Sequence, residues 1–284
     1  MLLSFIILTK NEELNLATCL ESLKSLPSQT FIIDSGSTDA TVAIAKSYGC
    51  TVIEHEFINQ AQQLNWAIAN LNIDTPWVMR LDADERLTPE LAQELQKVLA
   101  HTPPEISAYQ VKRQVYFMGK WIRHGGYYPT WLLRIWRPGT AISEQRAMDE
   151  HMLLLTGKLA SLKFDIIDDN RKDLTFWTDK HNRYSDREVQ DLLNHTQDQL
   201  LHPVQDSQDF QPQAKQKRWL KQNLYAKSPL FWRAFCYFMY RYFLRLGFLD
   251  GKTGLIFHFL QGFWYRFLID AKLYQTQNSP QKST

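Results

Sequence analysis

The chain has 284 residues, 44% of them hydrophobic and 22% charged, with 11 Gly and 11 Pro. That content supports one large domain, or a domain with an appendage, and excludes disordered and collagen-like classes. With 32 Lys and Arg against 30 Asp and Glu, the formal charge is +2, which excludes a nucleic-acid binder working through bulk positive charge. The three cysteines, Cys19, Cys50 and Cys236, form no C-x-x-C pair. A disulfide scaffold and a zinc ribbon are therefore not expected, and a reducing compartment fits.

Met1 to Thr9 is apolar, but no basic region precedes it and Lys10-Asn11-Glu12-Glu13 follows at once, so it reads as a buried strand rather than a signal peptide. No uncharged apolar run reaches the ~18 residues of a membrane span. The longest candidate, between Lys252 and Arg266, includes His258 and Gln261.

In chain order, Leu3 to Leu8 is a first strand. Leu14, Ala17, Leu20 and Leu23 mark a helix face. Thr30 to Ile33 is a second strand, Thr41 to Tyr48 a helix, and Thr51 to Glu54 a third strand. Ala61, Leu64, Ile68 and Leu71 mark the next helix, and Trp77 to Leu81 is a fourth strand. Thr88-Pro89 opens a helix with a cap and a proline at its first position, burying Leu91, Leu95, Val98 and Leu99. Four strands alternating with helices predict βαβ units and a mainly parallel sheet flanked by helices.

Beyond residue 105 the pattern changes. Tyr109 to Met118 and Thr130 to Trp136 read as strands joined through His124-Gly125-Gly126, and Leu159 to Ile167 as another. Asp173 to Leu201 reads as a long polar helix and His202 to Lys217 as a linker. The domains are accordingly expected at 1–201 and 218–284, with the linker over 202–217. Ser228 to Tyr274 holds 16 aromatic residues, and residues 228–284 carry seven basic and two acidic side chains. Such an aromatic, basic, helix-patterned tail has the composition of a segment lying in a membrane interface. It equally suits a helical hairpin packed on the preceding domain, and the two readings are compatible.

Leu81-Asp82-Ala83-Asp84-Glu85 follows the fourth strand, and ligands gather at the carboxyl ends of strands in open parallel sheets. In extended backbone Asp82 and Asp84 face one side, ~6.5–7 Å apart, a pair suited to Mg²⁺ or Mn²⁺ bridging to a diphosphate. An EF-hand is excluded, because Leu87 stands where its loop requires glycine. Asp34-Ser35-Gly36-Ser37-Thr38-Asp39 ends the second strand. There Asp34 can accept from a base or ribose, Gly36 permits close backbone approach, and Ser37 or Asp39 can cap the next helix. The same residues also suit a plain strand–turn–helix. With Thr9-Lys10-Asn11-Glu12 after the first strand, polar groups end strands one, two and four, which together describe a nucleotide site with a metal at its phosphate end.

These segments resemble the inverting glycosyltransferases of family 2. Thr9-Lys10-Asn11-Glu12 resembles the family's T-x-N-E element, Asp34 to Asp39 its D-[DS]-G-S-x-D element, Gln62-Gln63-Leu64-Asn65 its nucleotide-closing helix, and Asp82-Ala83-Asp84 its D-x-D motif. The resemblance spans residues 3–90 and implies a GT-A, Rossmann-like α/β fold with a C-terminal aromatic and basic helical extension. The nearest subgroup makes lipopolysaccharide core, exopolysaccharide or capsule, and its members often share a stretch like Leu246-Gly247-Phe248-Leu249-Asp250-Gly251. The resemblance implies nucleotide contacts from Thr9, Asn11, Glu12, Asp34, Ser35, Gly36, Gln62, Asn65 and Asp82, and a divalent cation, Mg²⁺ or Mn²⁺, on Asp84 with Asp82 assisting. It also implies a catalytic base after the fifth strand, where this chain offers Asp149 or Glu150 within Met148-Asp149-Glu150-His151, a departure from the family's usual pairs. Arg134, His124, His181 and Arg183 are candidates for contact with the diphosphate or the acceptor.

The implied partners are a nucleotide-diphosphate sugar, a glycan or lipid-linked acceptor, and a membrane surface reached through the C-terminal region, with no nucleic acid. The implied location is cytoplasmic, peripheral on the inner face of the plasma membrane. Two alternatives are a nucleotidyltransferase making sugar nucleotides and a non-catalytic, membrane-associated nucleotide-binding scaffold. The first expects a Gly-rich basic loop after strand one, and Thr9-Lys10-Asn11-Glu12-Glu13 has no glycine.

Overall fold

The apolar run Leu3–Thr9 is polar only near its ends, so as a strand it needs cover on both faces. It forms β1 at the centre of a parallel set, with β2 (Ser28–Asp34) on one side and β4 (Trp77–Asp82) on the other. Outside β2 lies β3 (Thr51–Glu54). Phe5, Ile6 and Ile7 are completely buried, their alternating directions feeding two cores on opposite faces. The crossovers are α1 (Leu16–Glu21), α2 (Thr41–Ser47) and α3 (Gln60–Asn70). The computed structural model describes residues 1–144, 151–198, 225 and 228–278.

After β4, β5 (Glu85–Leu87) leads to α4 (Pro89–Ala100), where Thr88 Oγ1 accepts from Leu91 N at 3.2 Å, the cap expected from Thr88-Pro89. Then come β6 (Ile106–Phe117), β7 (Lys120–Trp121), β8 (Thr130–Trp136), β9 (Ala141–Ser143), β10 (Met152–Leu154) and β11 (Lys158–Asp168). The main sheet runs β3-β2-β1-β4-β8-β6-β11-β5, with β7 on β6, while β9 and β10 pair separately. β8 is antiparallel to both neighbours, so the sheet is mixed and mainly parallel in its first half.

One connection shapes this sheet. β5 begins only three residues after β4 ends, yet it pairs at the far edge, antiparallel to β11. The three steps from Asp82 to Glu85 reach only ~10 Å when extended. The sheet must therefore curl until the β11 edge returns to the carboxyl end of β4, and Asp82, Asp84 and Glu85 stand where that curl closes.

The chain divides into two compact units: residues 1–121 with 127–171, and residues 122–126 with 172–284. The first is the sheet with its helices. The second holds α5 (Leu174–Asp198), α6 (Trp232–Met239), α7 (Gly251–Phe257) and α8 (Tyr265–Asn278). A π-helical turn, Tyr240–Leu244, continues α6, and a second, His258–Trp264, joins α7 to α8. The long polar helix, which the sequence groups with residues 1–201, clusters here with the helical unit, where its apolar residues Val189, Leu192 and Leu193 pack with Tyr265, Ile269 and Leu273. The expected linker 202–217 lies outside the described residues. Among the described residues no helix is long and apolar enough to cross a membrane.

Candidate functional site

Strand register brings the polar strand ends into one row. Thr9 stands beside Asp34, Asp34 beside Glu54, and Leu8 beside Asp82. Thr9 Oγ1 donates to Asp34 Oδ1 at 2.8 Å, and Ser35 N donates to Thr9 O at 3.0 Å. The Asp34 carboxylate also accepts from Ser37 N at 2.7 Å and Ser37 Oγ at 2.6 Å, folding the turn back on the strand end. Gly36 has φ +75°, a left-handed conformation that glycine adopts without steric cost. Ser37 serves Asp34, while Asp39 Oδ1 meets the first amide of α2, Thr41 N, at 2.9 Å.

The loop after β1 locks onto this turn. Asn11 is left-handed, with φ 53°, a conformation that asparagine tolerates. Its N–H donates to Ser37 Oγ and its Oδ1 accepts from Thr38 N, each at 2.8 Å. Lys10 Nζ donates to Ser35 O at 2.8 Å. Glu12 N donates to Thr41 Oγ1 at 2.7 Å, and Glu12 Oε2 accepts from Asn15 Nδ2 at 2.8 Å. Thr9, Asn11, Glu12, Asp34, Ser35 and Gly36 are thus one hydrogen-bonded structure.

On α3, Gln62 is exposed and its backbone N–H is capped by Asn59 Oδ1 at 2.8 Å. The side chain that reaches the turn is its buried neighbour Gln63, whose Nε2 donates to Ser35 Oγ at 2.8 Å. Asn65 faces elsewhere. Its Nδ2 donates to Ser143 O and its Oδ1 accepts from Ser143 N, both at 2.8 Å, so it clamps the end of β9. Beyond it, the β9–β10 ladder pairs Ala141–Ser143 with Met152–Leu154, and Glu144 N donates to His151 O at 2.8 Å. Asp149 and Glu150, the expected bases, lie outside the described residues.

The two carboxylates of the D-x-D do not share an extended strand as the spacing predicted. β4 stops at Asp82, and Ala83-Asp84 is the turn into β5. The physical reason is the curl, which requires a reversal at this point. Asp82 Oδ1 accepts from Arg80 Nε at 3.2 Å and its Oδ2 from Arg134 Nη2 at 3.1 Å. The same guanidinium donates to Glu85 Oε1 at 2.5 Å, and Glu85 Oε2 accepts from Asp82 N at 3.0 Å. Burial alone would raise the Asp82 carboxyl, but Arg134 and Arg80 outweigh it and hold it below the usual carboxylate range. Burial pushes Glu85 up to about 7 against the pull of Arg134, with the Asp82 charge adding to the rise. Asp84 turns the other way. Its Oδ2 accepts from Asn170 Nδ2 at 2.9 Å and its carbonyl from Asp169 N at 2.9 Å. Asn15 Oδ1 in turn accepts from Arg171 N at 2.9 Å, so the chain after β11 is tied to both Asp84 and the Glu12 loop.

Among the described residues no group of three or more His, Cys, Asp or Glu side chains forms a metal cage. The oxygen donors nevertheless suit a hard divalent ion of the kind held by one or two carboxylates together with phosphates and water. Asp84 is the better ligand, being half-buried with no guanidinium on it among the described residues, whereas both Asp82 oxygens already serve arginines.

Arg134, expected at the diphosphate or acceptor, is instead buried between Asp82 and Glu85. His124, His181 and Arg183 lie in the helical unit. His124 is held by Asp250, through Nδ1 to Oδ1 at 2.7 Å and backbone N to Oδ2 at 2.9 Å. His181 stacks on Trp177 at 3.5 Å between ring centroids, and Arg183 is exposed on α5. Residues that the sequence reading missed are Gln63, Glu85, Asn15 and Asn170. Only Gln63 and Glu85 carried a signal, as polar side chains next to or within a motif at positions that the apolar period would bury.

A family model described as "Glycosyl transferase family 2" matches residues 4–171. An uncharacterised glycosyltransferase of Rickettsia typhi is 36% identical over 118 residues, 41% of this chain and 40% of that protein. The lipopolysaccharide core biosynthesis glycosyltransferase LpsC of Rhizobium meliloti is 36% identical over 122 residues, 41% of this chain and 44% of LpsC. These matches span less than half the length of those relatives. Among solved structures, the fold is similar to that of the mannosyltransferase PcManGT from Pyrobaculum calidifontis in complex with GDP-Man and Mn²⁺, with TM-score 0.56 and 13% identity over 97% of this chain and 87% of that one. It is also similar to S. aureus TarS 1–349 in complex with UDP-GlcNAc, with TM-score 0.51 and 13% identity over 99% and 93% of the two chains. The sheet with its flanking helices is thus a GT-A fold.

Proposed function

The chain belongs to glycosyl transferase family 2, and from that premise we propose that it transfers a sugar, with inversion, from a nucleotide-diphosphate sugar to a hydroxyl group of a glycan or lipid-linked acceptor in cell-envelope polysaccharide or lipopolysaccharide biosynthesis. The observation that carries this reading is the row of strand ends in which Asp34, Asp82 and Asp84 stand at the carboxyl edge of the parallel strands, where α/β sheets bind nucleotides.

In this reading Asp34 and the Glu12 loop receive the nucleoside. Asp34 is already fixed by Thr9 and Ser37, so its position needs no reorganisation on binding. Gly36 lets the turn approach the ligand without a side chain. Asp84, with Asp82 assisting, would hold Mg²⁺ or Mn²⁺. Such an ion, when bound, stabilises the charge developing on the departing diphosphate. Arg134 holds Asp82 ionised and in place. Asp149 or Glu150 removes the proton from the acceptor hydroxyl, which attacks from the face opposite the leaving group. Asn65 fixes the end of β9, the strand that precedes them in the chain. The helical unit keeps the enzyme at the inner face of a membrane, where lipid-linked acceptors are presented.

PcManGT carries GDP-Man and TarS carries UDP-GlcNAc, so the donor panel must span both nucleotides. The test is release of nucleoside diphosphate from each donor with and without Mn²⁺, in the parent and in Asp84→Ala. Release from one donor, dependent on the ion and lost in the variant, supports the reading. Silence from every donor, with no ion-dependent binding, contradicts it.

A further inference from the structure

Within the helical unit several ionised side chains are buried. Arg233 donates through Nε to Asp270 Oδ1 at 2.7 Å, and Phe231 N donates to the other oxygen at 2.8 Å; Asp270 is wholly buried. Arg241, also buried, donates through Nε to Gly125 O and through Nη1 to Tyr237 Oη, both at 2.7 Å. Glu188 is buried, accepting from Tyr265 Oη and Arg266 Nη1 at 2.8 Å each.

Many of its large apolar side chains lie outside. Fourteen of them between Trp232 and Tyr274 are exposed, against eight on the rest of the described chain. On α6 and the turn continuing it, Trp232, Phe235, Met239 and Phe243 recur at i, i+3, i+7 and i+11, one face of a helix. Trp232 is 67% exposed and Leu244, next to Phe243, 75%. Ala234 and Arg241, seven residues apart on the other side, are buried. In water, large contiguous exposed apolar patches mark an interaction surface, and paired charges inside with apolar residues outside is the arrangement that lipid selects.

The charges specify the kind of lipid. Asp250 and Asp270 are the only acidic residues among 228–278, and both are buried. Arg245 and Lys252 are exposed among the apolar side chains of the same stretch. A stretch with apolar anchors, exposed cations and no exposed carboxylate of its own complements an anionic leaflet. No described helix can cross a bilayer, so the face lies in the interface.

We propose that the outer face of α6 and its continuing turn, from Trp232 to Leu244, docks into an anionic lipid leaflet, with Arg245 and Lys252 at the headgroups. This deepens the membrane-surface reading above and rests on it.

The test uses the full chain in the Cys50→Ser background, with an environment-sensitive fluorophore on Cys236, which is exposed on α6; Cys19 is buried. Phosphatidylcholine vesicles, with and without phosphatidylglycerol, are added to this protein and to the triple variant Trp232→Gln, Phe243→Gln, Leu244→Gln. These positions are exposed, so the fold is expected to persist, and unchanged circular dichroism together with retained donor hydrolysis in the absence of vesicles checks it. The expected result is binding to the anionic vesicles, a blue shift of the Cys236 probe, and a loss of about tenfold or more in vesicle affinity for the triple variant.

Binding by both proteins with a silent probe would overturn this face as the docking surface and leave the membrane-surface reading intact. No vesicle binding by the parent would overturn both. If light scattering then showed a dimer that the triple variant dissociates, the face would be an interface between two copies. Donor hydrolysis, read separately, reports on the glycosyltransferase reading alone.

Discussion

Asn170 donates from Nδ2 to Asp84 Oδ2 at 2.9 Å, joining the segment after β11 to the turn after β4 across 86 residues of sequence. Asp84 leaves the strand at a reversal, so its rotamer is set by this partner and not by the sheet. In Asn170→Ala the carboxylate is still present but unfixed. Turnover, and the apparent affinity for Mn²⁺, are expected to fall about 10- to 100-fold, the usual effect of removing a residue that orients a metal ligand. Titrating activity against Mn²⁺ checks this. An Asn170→Ala enzyme with the parent's Mn²⁺ dependence would contradict the role.

Arg134 serves two buried or half-buried carboxylates at once. Replacing it by methionine leaves Glu85 without its counter-ion in a site that water scarcely reaches. Removing one partner of a buried ion pair costs about 3–5 kcal/mol. Chemical denaturation should show a loss of that size in Arg134→Met, and Glu85→Gln in the same chain should recover part of it. Additive losses in the double variant would contradict the coupling.

Asn65 uses its whole amide on the backbone of Ser143. Asn65→Ala leaves one N–H and one C=O of β9 unpartnered, at a cost of about 1–3 kcal/mol. Because 145–150 begins two residues on, kcat is expected to fall while the affinity for the nucleotide alone stays near that of the parent. Nucleotide affinity falling as steeply as kcat would instead make Asn65 a nucleotide contact, as the resemblance implied.

His181 supplies a pH dependence confined to the helical unit. Burial pushes it down to about 4 from 6.5, against the hydrogen bond to the Trp177 carbonyl. Between those values the unfolded chain takes up a proton that the folded chain refuses. Stability therefore rises with pH across that window and levels off above it. Burial lowers His258 to about 4 as well, so the two histidines share the window. Thermal melts of the parent should show Tm falling as pH drops through it, and His181→Gln should reduce the fall and leave the share of His258. An unchanged slope in the variant would mean that His181 does not contribute.

Much of this was legible in the sequence because local chemistry and global fold agree in the first hundred residues. Thr51–Glu54 falls where the pattern placed it, and the Thr88-Pro89 cap forms as read. The Asp34 turn was legible because strand ends, glycine and short polar residues carry local meaning. The Asp82–Asp84 geometry was not, because it depends on β5 pairing with β11, a contact 80 residues distant that no local period encodes. Asn15 and Asn170 were invisible for the same reason. The place of α5 in the helical unit was hidden because the apolar residues scattered along a polar helix, Val189, Leu192 and Leu193 among them, give a weak face until their partners on α8 are known. The aromatic tail was legible as composition, whereas its buried Arg233–Asp270 pair required the packing.

The central claim is that Asp84, at the closing of the curled sheet, supports metal-dependent departure of a nucleoside diphosphate. The most direct measurement is donor hydrolysis without acceptor across guanosine- and uridine-linked sugars, comparing the parent with Asp84→Ala at saturating Mn²⁺. The account predicts release from one donor that needs the ion and a loss in the variant seen mainly in kcat, since the interaction belongs to the transition state. Equal hydrolysis by the parent and Asp84→Ala would contradict it.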